Sequence, residues 1–159
     1  MRGSSTSVRR AESAADVAGA FQVRYVVFVE EQGVPVELER DDRDATADHV
    51  VAVSAGAYVG AGRLVVEEPG YHGLDVAFGP VAHLGRLAVL PEARGSGVGA
   101  QLVRAIEERS AERGLMLIYL GAQSYVTPFY ERLGYAAFGE EFDDAGLPHR
   151  HMWRIPRRA

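Results

Sequence analysis

Just after an apolar run that ends at Leu90-Pro91, the stretch Arg94-Gly95-Ser96-Gly97-Val98-Gly99-Ala100 sets three glycines within five residues. Glycine has no Cβ, so the backbone there can curl through positive φ and aim successive N–H groups into one concavity. If a helix follows, the unpaired donors and partial positive charge of its first turn add to that concavity, which then binds a phosphate or pyrophosphate. The plain alternative is a turn that only lets a strand and a helix pack closely. Two other phosphate loops fit worse. A Walker loop ends in Gly-Lys-Ser/Thr, whereas Gly99 is followed by Ala100 and Gln101. The dinucleotide fingerprint runs G-x-G-x-x-G and needs an acid after the next strand, where Leu120-Gly121-Ala122 offers none.

Several side chains could move protons: Glu30, Glu31, His49, His83 and His149, each of which taken singly reads more readily as structural. Tyr130 carries an aromatic hydroxyl on a short helical stretch, where core packing is the plain reading. His149-x-His151 suggests a metal pair, but two residues of one strand make a partial site and no third ligand lies near in sequence, so no metal is expected. With no cysteine, thiolate nucleophiles, thiolate metal sites and disulfides are all excluded. Between positions 37 and 48 lie six acids, Glu37, Glu39, Asp41, Asp42, Asp44 and Asp48, against Arg40 and Arg43. A solvated face is the expected reading; a rim that attracts cationic amines is the functional alternative.

These residues must be held by one compact domain, since 159 residues bury a sizeable core without staples. A net charge of −5 lacks the basic field that holds nucleic acid. Arg154, Arg157 and Arg158 read as a solubilising tail. No apolar run approaches the roughly 18 residues that span a bilayer, and no secretory signal opens the chain, so a cytoplasmic protein with neither nucleic-acid nor membrane partner is expected. The domain is expected to fill residues 1–159, with 1–7 disordered. Residues 8–11 suit an edge strand. Ser13 caps a helix to about Glu30, although Val23, Val26, Val27 and Val29 argue for strand. A long loop over 31–48 precedes a hairpin of strands 48–54 and 58–66. Strand 81–90, a helix over 97–113 with Val98, Leu102, Val103 and Ile106 on one face, strand 115–120 and a short helix 127–133 follow. Two strands, 135–138 and 149–155, flank an acidic turn. The pattern is α/β with a mixed sheet.

Arg94-x-x-Gly97-x-Gly99 resembles the R/Q-x-x-G-x-G/A signature of the GNAT N-acetyltransferase superfamily. Gly85-Arg86-Leu87-Ala88-Val89 is similar to its splayed central strand. Leu120-Gly121-Ala122-Gln123 and Phe129-Tyr130-Glu131-Arg132-Leu133-Gly134-Tyr135 are similar to its next strand and short helix. The order fits from about residue 8 to 155. Phe28-Val29-Glu30-Glu31-Gln32, His49, and Gly139-Glu140-Glu141-Phe142 through His149 resemble the ElaA-like branch.

The resemblance implies a GNAT-like fold, a mostly antiparallel sheet splayed at the central strands with helices on both faces. It implies acetyl-coenzyme A as cosubstrate and an acyltransferase that moves acetyl to a primary amine of a small molecule or peptide. Arg94, Gly95, Ser96, Gly97, Val98, Gly99 and Ala100 would hold the pyrophosphate. Leu87, Ala88 and Val89 would pair with the pantetheine arm, with Gln123 and Phe129 completing the cosubstrate site. Tyr130 would be the acid that protonates the leaving thiolate. His149, where acceptor pockets of the family close, is the first choice of base. A homodimer is compatible with the resemblance. The alternatives are a non-catalytic coenzyme A-binding module and a nucleotide-binding enzyme.

Overall fold

The computed structural model describes residues 5–156. Its strands form a mixed, mostly antiparallel sheet of order β1-β2-β3-β4-β5-β7-β6. The chain divides into two compact units: Met1–Val65 with Arg86–Ile106, and Val66–Gly85 with Glu107–Ala159.

In the first unit, β1 (Thr6–Arg10) lies antiparallel to β2 (Asp48–Ser54), which lies antiparallel to β3 (Ala57–Glu67). The edge strand therefore starts at Thr6, and Thr6 and Ser7 pair with Ser54 and Val53 rather than fraying. Residues 1–4 of the expected disordered end lie outside the described residues. The β2–β3 turn is Ala55-Gly56, both left-handed (φ 52° and 79°), as a two-residue hairpin requires.

Helix α1 (Ala14–Arg24) starts where Ser13 Oγ accepts from the Asp16 N–H at 3.1 Å. It continues as a π-helical stretch, Tyr25–Glu31. The valines that argued for strand are helical, because Ala20, Val23 and Val27 pack with Val51, Ala61 and Ala88. Tertiary burial thus outweighs the rotamer preference of the β-branched side chains. On the opposite face of β3, Gly60 and Gly62 meet α3 (Val98–Glu112): a Cβ on Gly60 would stand 2.9 Å from Leu102 Cδ1, and one on Gly62 3.0 Å from Ile106 Cδ1. Alternation along β3 sends neighbouring positions to the two faces, and glycine at 60 and 62 sets the close approach of α3.

The stretch expected as a loop folds into a short helix, α2 (Val36–Glu39), and a 3₁₀ turn, Asp42–Ala45, capped by Asp41. Its acids are not all solvated. Glu39, Asp41 and Asp44 meet Arg24, Arg63 and Arg86 in an ionic cluster in which Arg24 is 1% exposed. The partners come from distant elements, so the local charge pattern could not show them.

In the second unit, the start of β4 (Val81–Val89) runs parallel to β5 (Ile118–Gln123) through Ala82↔Ile118 and His83↔Tyr119. β5 pairs antiparallel with β7 (Leu147–Arg154), and β7 with β6 (Ala136–Asp144). Helix α4 (Thr127–Arg132) sits between β5 and β6 in sequence. The acidic turn expected after Phe138 is instead strand: β6 continues to Asp144, and the turn is Ala145-Gly146 (φ 53° and 81°). Phe138 and Phe142 both face β7, and a register shift between them at left-handed Gly139 keeps that face. Val81, Leu117 and Tyr119 form the unit's core cluster, with Tyr71, Leu74, Phe78, Phe138 and Trp153 packed against it.

Candidate functional site

The first unit carries the glycine loop. β4 ends at Val89, a 3₁₀ turn covers Pro91–Ala93, and α3 begins at Val98. Gly95 and Gly97 adopt φ of 81° and 86°, the left-handed region that favours glycine, and a Cβ on either would meet nothing within 4 Å. The loop is thus curled and open on its outer side. Val98 anchors the helix start at 2% exposure. The first helical bond runs from the Gln101 N–H to the Gly97 carbonyl at 3.1 Å, so the amides of Val98, Gly99 and Ala100 precede the helical ladder and present the donors of the N-terminal turn. Ser96 Oγ donates to the Ala93 carbonyl at 2.6 Å and ties the loop to its own turn.

Arg94 is fixed on three sides. Its Nε donates to the Val89 carbonyl at 2.9 Å, and Nη1 and Nη2 donate to Glu31 at 2.8 and 2.6 Å. The guanidinium holds the Glu31 carboxyl below the usual glutamate range. Glu31, a candidate base, is thereby a poor proton acceptor near neutral pH. Along β4, the Leu90 N–H donates to the Val59 carbonyl at 2.9 Å. Strand alternation then turns the Val89 N–H to the edge away from β3. Arg86 interrupts the regular pleat with φ 50°. Its guanidinium reaches the Glu39 carbonyl at 3.2 Å and Asp41 at 3.3 Å, and burial, then the charges of Arg63 and Arg24, lower its pKa. Of the remaining candidates of this unit, Glu30 is exposed on the π-helical stretch, and His49 lies 2.9 Å by Nε2 from the Asp44 carbonyl and packs edge-on against Phe21.

The second unit carries the other predicted residues. Gln123 ends β5 and is the register partner of His149 on β7. Phe129 and Tyr130 sit on α4 with ring centroids 4.9 Å apart. Tyr130 is buried, and burial alone pushes its hydroxyl above the usual tyrosine range, so it stays protonated. His149 lies 2.9 Å by Nδ1 from the Leu147 carbonyl and 3.9 Å by Nε2 from Asp144. His83 pairs with Glu67 at 2.8 Å.

One pair escaped the sequence reading. Tyr119 Oη and His151 Nδ1 stand 2.6 Å apart. Tyr119 is hidden in an apolar run, and His151 drew notice only as half of a metal pair. The signal was alternation: the β5–β7 register sets Tyr119, Gly121 and Gln123 opposite Trp153, His151 and His149, all on one face. Among the described residues, no group of three or more His, Cys, Asp or Glu is placed to hold a metal ion. Nor, among them, is any helix long and apolar enough to cross a membrane.

The chain matches known proteins over most of its length. The model of the acetyltransferase (GNAT) domain family matches residues 14–155. The uncharacterized N-acetyltransferase YjcF of Bacillus subtilis (strain 168) is 38% identical over 136 residues, 85% of this chain and 89% of its own. A crystal structure from Lactobacillus plantarum superposes with a TM-score of 0.82 at 26% identity, covering 96% of this chain and 99% of that one. The crystal structure of Escherichia coli ElaA superposes with a TM-score of 0.74 at 25% identity, covering 95% and 99%.

Proposed function

The chain belongs to the GNAT acetyltransferase family and is an acyltransferase, and on that premise we propose that it transfers acetyl from acetyl-coenzyme A directly to a primary amine. The observation that carries this reading is the open glycine loop, with Gly95 and Gly97 left-handed and unobstructed ahead of the first turn of α3. Residues 94–100 hold the pyrophosphate through main-chain amides. Leu87, Ala88 and Val89 hold the pantetheine arm along the edge of β4 that faces away from β3, and Gln123 and Phe129 line the cosubstrate.

An alkyl ammonium has a pKa near 10.4, so the acceptor arrives protonated and must lose a proton before it attacks. The free amine then adds to the thioester carbonyl carbon, and negative charge develops on the carbonyl oxygen. The Val89 N–H is the donor to that oxygen; removal of one such donor costs about 10²–10³ in rate. Collapse of the tetrahedral adduct breaks the C–S bond. Tyr130 gives its proton to the departing thiolate, and the nitrogen sheds its second proton to yield the amide. Burial keeps the Tyr130 hydroxyl protonated, so it has a proton to give. His149 and His151, on the shared face of β7, are the candidates for the first proton.

The test has two stages. Thermal shifts with acetyl-coenzyme A, NAD and ATP should show stabilisation by the first alone, about 2.7 kcal/mol at 100 times Kd. Thiol release against a panel of amines should then identify acceptors. Stabilisation by NAD or ATP instead, or coenzyme binding without thiol release from any amine, would overturn the proposal.

A further inference from the structure

We infer that Tyr119 and His151 together form the proton acceptor for the amine, the Tyr119 hydroxyl taking a proton from the ammonium while passing its own to His151 Nδ1. The assignment rests on the acceptor reading above and names the group that reading left open. In the step one N–H bond of the ammonium breaks and one O–H bond forms on Tyr119. The original tyrosine O–H breaks, and an N–H bond forms at Nδ1. The products are a neutral amine, an unchanged tyrosine and an imidazolium that returns its proton to water.

Tyr119 is buried at 3% exposure, and the residue that borders its hydroxyl on the strand is Gly121. This residue follows Tyr119 by two on β5, is exposed, and is the register partner of His151. A Cβ on Gly121 would lie 3.4 Å from Tyr119 Oη and 3.5 Å from Phe142 Cζ. A side chain at 121 would sit against the hydroxyl; glycine leaves that side of it without one, which is where the proposal seats the ammonium. The imidazole is held for the exchange. Phe142 stacks on His151 at 4.2 Å and 18°, and His72 lies at 4.4 Å.

The charges around the pair favour this direction of transfer. His151 is faced by His72 from the turn after β3 and flanked by Arg150 on β7. Burial first, then His72 and Arg150, hold its pKa below the usual 6.5, so it is neutral at physiological pH and can accept a proton. Tyr119 is faced by Tyr71, His72 and His83, with Glu67 and Asp144 acting on it through their charge. Burial first, then Tyr71, Glu67 and Asp144, push its hydroxyl up, so it holds a proton to pass. Alone, so weak an acid would not serve as base at neutral pH; His151 is the sink that lets it relay.

The experiment compares two acceptors of nearly equal shape: the best amine R–CH₂–NH₂ from the thiol-release screen, and R–O–NH₂, which is neutral near pH 7 and needs no base. Tyr119→Phe and His151→Gln should each lower kcat/KM for the alkylamine by about 10²–10⁴-fold, and that for the oxyamine only a few-fold. In wild type, kcat/KM should fall on the acid side as His151 protonates, and His151→Gln should lose that limb. Gly121→Val leaves the pair intact but covers it, and should lower kcat/KM for both acceptors. A thermal shift with coenzyme A confirms that each variant is folded. Equal losses on both acceptors in Tyr119→Phe and His151→Gln, an acid limb that survives in His151→Gln but not in His149→Gln, or a fully active Gly121→Val would each overturn the assignment while leaving the transferase reading intact. Coenzyme binding without thiol release in wild type would instead overturn that reading, and this assignment with it.

Discussion

Arg94 and Glu31 face each other in a two-bond fork, with Nη2–Oε1 at 2.6 Å and Nη1–Oε2 at 2.8 Å, at the mouth of the glycine loop. The pair joins the end of the π-helical stretch to the segment proposed to hold pyrophosphate. Both side chains are about 40% exposed (43% and 40%), so the bridge adds little to stability. Its consequence is electrostatic, because Glu31 offsets the one cation of the loop. Glu31→Gln should therefore leave the melting temperature within about 1 °C while tightening coenzyme A binding by roughly 2–5-fold at low salt. Titration calorimetry at two ionic strengths checks both parts, and weaker binding in the variant would contradict the expectation.

Tyr130→Phe removes the proposed acid and keeps the ring. The kcat should fall by about 10²–10⁴-fold, with coenzyme A affinity nearly unchanged. Steady-state kinetics beside direct binding measures the split, and a near-normal kcat would remove Tyr130 from the reaction.

Asp44 accepts from Arg24 at 2.7 Å and from Arg63 at 2.9 Å. Asp44→Asn leaves two buried guanidinium groups short of charge, which costs about 3 kcal/mol. For a chain of this size that corresponds to a drop of roughly 6–12 °C in melting temperature. Calorimetry on the variant decides it; a drop under about 2 °C would show that the cluster contributes little.

The same chemistry sets the acid limb of stability. Asp16, hydrogen-bonded first by Arg9 and then by Tyr58, falls from 3.8 to about 2. Burial would raise Asp44, but the hydrogen bonds from Arg24 and Arg63 outweigh it and hold it down. A carboxyl depressed in the folded state adds stability that is fully present above its unfolded pKa and is lost as pH falls through its folded one. Melting temperature should hardly change from neutral down to about pH 4 on account of these groups, then drop between about 4 and 2. Asp16→Asn should flatten that drop, as scans across the range would record.

Gly60 and Gly85 separate packing from backbone effects. Gly60→Ala sets a methyl 2.9 Å from Leu102 Cδ1 in a filled interior, whereas Gly85→Ala meets nothing within 4 Å. The first should cost about 1–3 kcal/mol and the second under about 0.5, measured as paired denaturant midpoints.

Much of the fold was readable in order along the chain. The Ala55-Gly56 hairpin, the apolar stripe of α3 and the glycine loop rest on short-range rules, so pattern alone located them. The glycine loop at 94–100 was likewise named from residue types and spacing, whereas a part for the strand before it came from the family resemblance. The misreadings share a different cause. Asp41 and Asp44 looked solvated because Arg24, Arg63 and Arg86 come from distant segments. β6 was cut short because Glu140, Glu141, Asp143 and Asp144 suggest a turn, while Phe138 and Phe142 keep the strand on β7.

The linear order of residues settled the family signature, the glycine positions that demand left-handed backbone, and the absence of any cysteine chemistry, since each depends on neighbours a few positions apart. Which histidine meets a tyrosine was decided by strand register alone. Residues 119 and 151 become partners because β5 and β7 align Gly121 with His151. A shift of one position would send that whole row to the other face.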